Sequence, residues 1–162
     1  MTSDDFRETL KDFPAGVTIV TSAGRDGVPV GATVSSFTSL SLDPPLILVC
    51  LKSESRTVEA IRQRGAFAVH ILERSQAHLA RQFAADHIDK FQAGTYGLNG
   101  SGVPYLLNCQ DRLDCSLENE FTGGDHQILV GRVEAISRAD GFEPLVYAQR
   151  GFFELGGSAA EA

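Results

Sequence analysis

The chain has 162 residues, of which 43% are hydrophobic and 22% charged, values typical of one soluble globular domain with a buried core. Its formal net charge of -7 argues against a nucleic-acid partner, because that kind of binding depends largely on lysine and arginine at phosphates. No apolar run is long enough to span a bilayer, and the acidic N-terminus lacks a signal-peptide pattern, so we expect no membrane partner.

The cysteines and histidines do not form a metal-binding pattern. Cys50, Cys109 and Cys115 give an odd count without a CxxC spacing, and the four histidines are scattered along the chain. We therefore expect no metal ion and a reduced, cytoplasmic setting.

The N-terminal part is predicted to be a helix followed by a β-hairpin. Apolar residues recur at helical spacing within residues 3–13, and Thr2 and Asp5 match a capping box. The β-branched residues 17–21 predict a strand, and a glycine-containing turn leads into a second strand over residues 28–36.

An unusual hydroxyl-rich stretch, residues 31–45, ends at two prolines. Proline cannot sit inside a central strand, so this pair separates the stretch from the apolar strand over residues 46–51. A hydroxyl-rich strand beside a buried strand can hydrogen-bond a polar ligand. The simpler interpretation is an edge strand whose serines face water, and both interpretations stand at this point.

Two more helices and a strand are predicted in the middle of the chain. One helix has Ser55 or Thr57 as its N-cap and ends at Gly65. A strand over residues 66–72 follows, and a second helix over residues 75–85 has its first residue, a serine, as its cap.

The rest of the chain is predicted to be a loop and three strands. Residues 86–102 show little periodicity and are long for a loop, and long loops are often functional. Strands are predicted over residues 113–121, 127–137 and 145–155, and the tail over residues 156–162 is expected to be disordered.

The order of these elements predicts a mainly β fold. Seven or eight short strands are joined mostly by turns, with two to three flanking helices, which is typical of an antiparallel barrel. Strict alternation of strands and helices is missing, and no linker divides the chain, so a single domain over residues 1–155 is expected.

The best candidate anion site is the helix start at residues 53–57. Free N–H groups, hydroxyls and the Arg56 side chain together suit a phosphate. The alternative is an ordinary N-cap with a solvated arginine. The phosphate-loop, nucleophile-elbow and GxGxxG patterns are missing, so a nucleotide would have to bind in another way.

Three other segments are candidates with equally ordinary alternatives. His126 follows two glycines and an aspartate, where an imidazole can stack, hydrogen-bond or titrate near neutral pH, or simply lie on a surface turn. Lys90 and Phe91 either lie over a ligand or end a helix, with the aromatic ring docked on the core. Tyr147 either contributes to a site or belongs to a buried strand.

Taken in order, these segments resemble the short-chain flavin reductase family, the reductase components of two-component flavin-dependent monooxygenases. The resemblance extends from about Phe6 to Leu155 and is carried by residues 16–21, 31–45, 46–51, Ser55-Arg56-Thr57, Asp89-Lys90-Phe91, Gly123-Gly124-Asp125-His126 and 144–147.

This resemblance implies a fold, an activity and partners. The fold would be the Greek-key split β-barrel that binds flavin, in a homodimer. The activity would be reduction of FMN or FAD by NADH or NADPH, with the reduced flavin passed to a separate oxygenase component.

It also implies roles for individual residues. Carried over by position, the flavin contacts would be Thr33, Val34, Ser35, Ser36, Cys50, Leu51, Ser55, Arg56, Thr57, Lys90, Phe91 and, less directly, Tyr147. His126 would be the catalytic residue, at the nicotinamide side.

The residues themselves are compatible with this chemistry. Hydride transfer to a flavin needs stacking, exclusion of water and hydrogen bonds to the developing negative charge, but no nucleophile or metal. Two alternatives remain at the level of sequence. One is a flavin-dependent oxidase or reductase of another small substrate on the same barrel, and the other is a non-catalytic protein that holds flavin or haem.

Overall fold

The computed structural model, which describes residues 1–86 and 89–155, is built mainly from β-strands. The helices are α1 (Ser3–Leu10), α2 (Arg56–Arg64) and α3 (Ala77–Ala84), with a 3-10 turn at Arg74–Gln76 before α3. The strands are β1 (Ala15–Gly16), β2 (Thr18–Ala23), β3 (Pro29–Val34), β4 (Phe37–Leu42), β5 (Pro45–Lys52), β6 (Ala66–Ile71), β7 (Tyr96–Leu98), β8 (Pro104–Leu106), β9 (Arg112–Gly123), β10 (His126–Ser137), β11 (Leu145–Ala148) and β12 (Gly151–Glu154). The predicted mainly β fold with two to three helices is confirmed.

Seven strands form one antiparallel sheet in the order β3-β2-β6-β9-β10-β5-β4. Strands β3 and β4 occupy its two edges, yet only Ser35 and Ser36 separate them in the chain. So short a connection spans at most about 10 Å, so the two edges approach each other at this point. The crossing from one edge to the other is made by the hydroxyl-rich stretch of the sequence.

The main core lies between this sheet and helix α2. Val58 and Ile61 of α2 are fully buried against Val20, Val49 and Phe67 of the strands. This packing holds α2 against β2, β5 and β6.

A second core holds helix α3 against the outer side of β3. Phe83 of α3 is buried together with Ile19, Leu72, Phe91 and Leu145. The apolar stripe of α3 thus packs on β2 and the C-terminal strands, and the helix lies over β3.

The prediction of a single last strand over residues 145–155 is wrong. Strands β11 and β12 form an antiparallel hairpin, and β1 pairs with β11 to complete a three-stranded sheet. Gln149 and Arg150 at the hairpin turn have φ angles of 45° and 62°, which non-glycine residues rarely adopt. The sequence therefore does not predict a turn at these two residues. The predicted loop over residues 86–102 contains β7, which pairs with β8.

The helix starts agree only partly with the sequence. Ser55 is the N-cap of α2, where its Oγ accepts a hydrogen bond from the Thr57 amide at 3.2 Å. The prediction that a helix is capped at Ser75 is wrong. Ser75 lies within the 3-10 turn and donates its hydroxyl hydrogen to the Glu73 carboxylate, and α3 begins at Ala77.

Helix α1 has the predicted capping box between Thr2 and Asp5 but ends at Leu10, earlier than expected. None of its residues is buried. Phe6 and Leu10 of the helix and Phe13 just after it are each more than half exposed. Among the residues that the structure describes, the apolar side of α1 therefore remains largely uncovered.

The predicted disordered tail, residues 156–162, lies outside the described residues. Within residues 1–86 and 89–155, no helix combines the length and hydrophobicity needed to cross a membrane.

Candidate functional site

The hydroxyls of residues 33–36 have different partners. Thr33 donates to the Ala80 carbonyl of α3 at 2.7 Å, and Val34 is buried, with its carbonyl accepting from the Thr18 hydroxyl at 2.7 Å. Ser35 lines a cavity of about 210 Å³ together with Thr33. Thr33 therefore holds the strand against α3, whereas Ser35 faces the cavity.

Ser36 is bonded to the neighbouring strand β5. Its hydroxyl donates to the Cys50 carbonyl at 2.7 Å and accepts from the Cys50 amide at 3.2 Å. Leu51, the next residue, is buried in the main core. Two of the predicted flavin-binding segments are thus in direct contact.

The start of α2 has the features of an anion site. The Ser55 side chain caps the helix and Thr57 is buried, while Arg56 occupies the first helical position. The positive end of the helix dipole lies at this end, and the first N–H groups of a helix have no partner within it. A phosphate group suits this set of donors.

A second cation, Lys90, is held between β3 and α3. The Lys90 ammonium group donates to the Phe83 carbonyl at 2.8 Å and to the Gly31 carbonyl at 3.1 Å. Burial lowers the pKa of Lys90, and the nearby Arg56 charge lowers it further, while Asp86 acts in the opposite direction.

Phe91 lies in the second core rather than over an open surface. It is 8% exposed, and its ring makes edge-on contacts with Phe83 and Tyr96 at centroid distances of 5.2 and 5.3 Å. Tyr147 does not belong to this aromatic group and instead lines the small cavity with Thr33 and Ser35.

His126 is linked to the loop that enters α2. Its Nδ1 atom lies 2.8 Å from the Asp125 carboxylate, and this hydrogen bond with His126 lowers the pKa of Asp125. The Asp125 carbonyl accepts from the Ser53 amide at 3.0 Å, and Gln127 donates to the Ser53 hydroxyl at 3.1 Å. The histidine therefore lies beside the loop at Ser53 that leads into α2.

Most of the predicted residues form one connected region. Direct contacts link residues 33–36 to Cys50, Lys90 to β3, and the His126 turn to the loop before α2. Tyr147 joins this region through the small cavity, whereas the Phe91 ring faces the core.

Some residues of the region are missing from the sequence prediction. Arg81 of α3 lies over the ring of Phe152, 5.1 Å from its centroid, and both line the small cavity. A larger cavity of about 550 Å³ lies on another face of α3, and of the predicted site residues only Lys90 lines it. We place the site at the smaller cavity because it touches the hydroxyl-rich strand. Only the chain reversal after β11 brings Phe152 there, and the sequence gives no signal for it.

In the part of the chain that the structure describes, acidic, histidine and cysteine side chains do not cluster as metal ligands do. Within the described ranges, no group of three or more of them could hold a metal ion.

Comparison with known proteins identifies several relatives. Residues 10–156 match the family model described as "Flavin reductase like domain". The chain is 41% identical to the reductase component of a 4-nitrophenol 4-monooxygenase/4-nitrocatechol 2-monooxygenase of Rhodococcus opacus, over 88% of this chain and 76% of the relative. It is 39% identical to a Rhizobium meliloti protein named "Probable flavin reductase", over 96% of this chain but only 50% of that relative's length.

The chain is also similar to a solved structure. The Streptomyces globisporus C-1027 NADH:FAD oxidoreductase SgcE6, in complex with NAD and FAD fragments, superposes with a TM-score of 0.89 at 34% identity, covering 97% of this chain and 94% of the other.

Proposed function

The chain belongs to the flavin reductase family, and from this membership we propose that it transfers a hydride from NADH or NADPH to FMN or FAD. The observation that carries the proposal is the start of α2, capped by Ser55 and carrying Arg56 at its first helical position, because free N–H groups and an arginine offer a phosphate-bearing ligand a place to bind. The relatives from Streptomyces globisporus and Rhodococcus opacus support the same assignment.

We assign the flavin ring to the crossing between β3 and β4. Residues 33–36, Cys50 and Leu51 supply backbone groups and the Ser35 hydroxyl beside the small cavity, and Tyr147 lies at its edge. Residues 55–57 hold the flavin phosphate. Lys90, whose ammonium group bonds to the Gly31 carbonyl of β3, lies beside the flavin, and Phe91 supports the segment of Lys90 from the core side.

In this arrangement a bound flavin supplies the hydride acceptor. The chain's own residues orient two planar rings, exclude water and donate hydrogen bonds where negative charge develops. His126, held by Asp125, lies at the nicotinamide side, where it fixes the orientation of the hydride donor. Neither a nucleophile nor a metal is needed for these tasks.

We also infer that the sheet curls into the split barrel. The support is the crossing at Ser35 and Ser36, which joins the two edge strands, together with the bonds between Ser36 and Cys50. A curved sheet of this kind places residues from both edges in one binding region.

We further propose that the protein is a homodimer that passes reduced flavin to a separate oxygenase component. The uncovered apolar side of α1, with Phe6, Leu10 and Phe13, supports a subunit contact. Relatives described as the reductase subunit or reductase component of a monooxygenase, and one described as the flavin reductase component of a two-component tryptophan halogenase, support the oxygenase partner.

The function is tested by steady-state kinetics with purified protein. We expect rapid loss of NADH or NADPH absorbance that depends on added FMN or FAD. Comparing the rates for the four combinations of nicotinamide and flavin identifies the preferred one of each. A protein that holds flavin but leaves the nicotinamide unoxidised would be a carrier and would contradict the proposal.

A further inference from the structure

Where the chain crosses from one edge of the sheet to the other, the side chain of Ser36 makes hydrogen bonds in place of a regular backbone pair between strands. The pairing of β3 with β2 ends at Val34, and the pairing of β4 with β5 begins at Phe37 opposite Val49. Between these ladders, the Ser36 hydroxyl donates to the Cys50 carbonyl at 2.7 Å and accepts from the Cys50 amide at 3.2 Å. The same amide lies 3.3 Å from the Ser36 carbonyl, so one residue meets both backbone groups of Cys50.

The geometry points to Ser36 as a positioning residue that sets the distance between the two strands of the flavin site. This inference rests on the proposed function, which assigns residues 33–36 and Cys50 to flavin contacts. The hydroxyl of Ser36 acts through the Cys50 backbone, since its only hydrogen is already donated to that carbonyl. It holds the β3 side of the site against the β5 side before any ligand arrives.

The neighbouring hydroxyls have separate tasks. Thr33 is committed to the Ala80 carbonyl of α3 and so fixes the other side of the strand. Ser35 faces the small cavity and, among the hydrogen bonds of the described residues, its hydroxyl has no protein partner. Ser35 is therefore the hydroxyl left to meet the ligand, while Thr33 and Ser36 hold the strand on which it lies.

The first test measures amide exchange at Cys50 in protein free of flavin. In Ser36→Ala we expect the Cys50 amide to exchange about tenfold faster, because it loses its side-chain acceptor and keeps only the longer bond to the Ser36 carbonyl. Ser36→Thr keeps the hydroxyl and should restore slow exchange. Ser39→Ala removes a serine hydroxyl from the adjoining exposed strand and serves as the matched control.

The second test measures kinetics in the same variants. Ser36→Ala should raise the KM for flavin about tenfold, the effect of losing roughly one hydrogen bond, while kcat and the KM for the nicotinamide change less than about twofold. Ser36→Thr should again behave as the wild type.

Two results would overturn the inference. One is unchanged Cys50 exchange in flavin-free Ser36→Ala, which would leave the hydroxyl without a positioning role. The other is faster exchange with an unchanged flavin KM, which would show that the link does not affect the site. Failure of the proposed function is a separate outcome, because it appears as wild-type protein that does not oxidise nicotinamide with flavin, and the exchange measurement does not depend on it.

Discussion

The ring of Phe83 lies directly against the backbone of Gly31. A Cβ atom placed on Gly31 would come 2.9 Å from the ring Cε1 atom and 3.0 Å from the carbonyl oxygen of Val20. Phe83 is almost fully buried, so its ring has little room to move. The absence of a side chain at Gly31 thus allows α3 to approach β3, and the carbonyls of Gly31 and Phe83 share the Lys90 ammonium group.

Gly31→Ala should therefore destabilise the protein through overpacking, by about 1–3 kcal/mol. Gly16→Ala is the matched control, because a Cβ atom there would meet nothing within 4 Å. Urea unfolding of both variants measures the difference. Equal stability of the two variants would mean that the contact between α3 and β3 adapts without strain.

Arg56→Ala should weaken the binding of FMN by about 10- to 100-fold, as expected for loss of a hydrogen bond to a charged group. Riboflavin, which lacks the phosphate, should lose much less affinity. Fluorescence titration with the two flavins separates these effects, and Arg25→Ala on the turn before β3 is the control. An equal loss for FMN and riboflavin would contradict a phosphate contact of Arg56.

His126→Ala should slow flavin reduction by NADH by about tenfold, the effect of roughly one lost orienting hydrogen bond, while flavin binding changes less. Stopped-flow measurement of flavin reduction, together with flavin titration, separates the two steps. His78→Ala, which alters an exposed histidine of α3, is the control. If His126→Ala leaves the reduction step unchanged, the histidine does not act on the nicotinamide.

His70 makes the fold sensitive to moderate acidity. Its ring is fully buried, with Nδ1 at 3.1 Å from the Ile19 carbonyl and Nε2 accepting from the Leu106 amide at 3.0 Å. A ring that accepts at Nε2 is neutral, and burial lowers the pKa of His70 from 6.5 to about 4, with the Arg112 charge adding to the effect.

Because the folded pKa lies below the unfolded one, the stabilisation from neutral His70 is complete above about pH 6.5. It is lost as the pH falls through the window down to about 4, where the unfolded chain binds a proton that the folded chain does not. Over this window the loss amounts to about 3 kcal/mol. Urea unfolding at several pH values measures it.

His70→Gln should be less stable at neutral pH but show a flatter pH dependence between pH 4.5 and 6.5. His78→Gln provides a matched change at an exposed histidine and should keep the wild-type slope. A wild-type slope in His70→Gln would assign the acid sensitivity to other groups.

Phe6→Ser and Phe13→Ser, made together, should shift the protein from dimer towards monomer, since they replace the exposed apolar side of α1 by polar groups. Light scattering after size-exclusion chromatography at several concentrations measures this shift. Leu98→Ser, at an exposed leucine of β7, controls for the general effect of lowering surface hydrophobicity. A monomeric wild type, or an unaffected dimer, would contradict a subunit contact through α1.

Features that depend on near neighbours were predictable from the sequence. The Ser55 cap and the capping box of Thr2 and Asp5 join residues two or three positions apart, and the β2–β3 hairpin follows from β-branched residues around a glycine turn. The family and the mainly β fold were predictable for the same reason, because they depend on the order of such local patterns, and both predictions are confirmed.

Features that depend on distant partners were not predictable. Lys90 bonds to Gly31, 59 residues away, and Thr33 bonds to Ala80, 47 residues away. Neither pattern nor spacing reveals such partners, because they arise only when the sheet and α3 have packed. The Ser36 hydroxyl was expected to meet a ligand, and its bonds to Cys50 became visible only in three dimensions. The individual flavin and nicotinamide contacts remain predictions.

The pairing of Ala15 with Tyr147 has a consequence for synthesis of the protein. These residues are about 130 positions apart, so β1 leaves the ribosome long before its partner β11 has been made. The three-stranded sheet can therefore assemble only after the hairpin of β11 and β12 has emerged. Until then the nascent chain lacks the wall of the small cavity that Tyr147 and Phe152 provide.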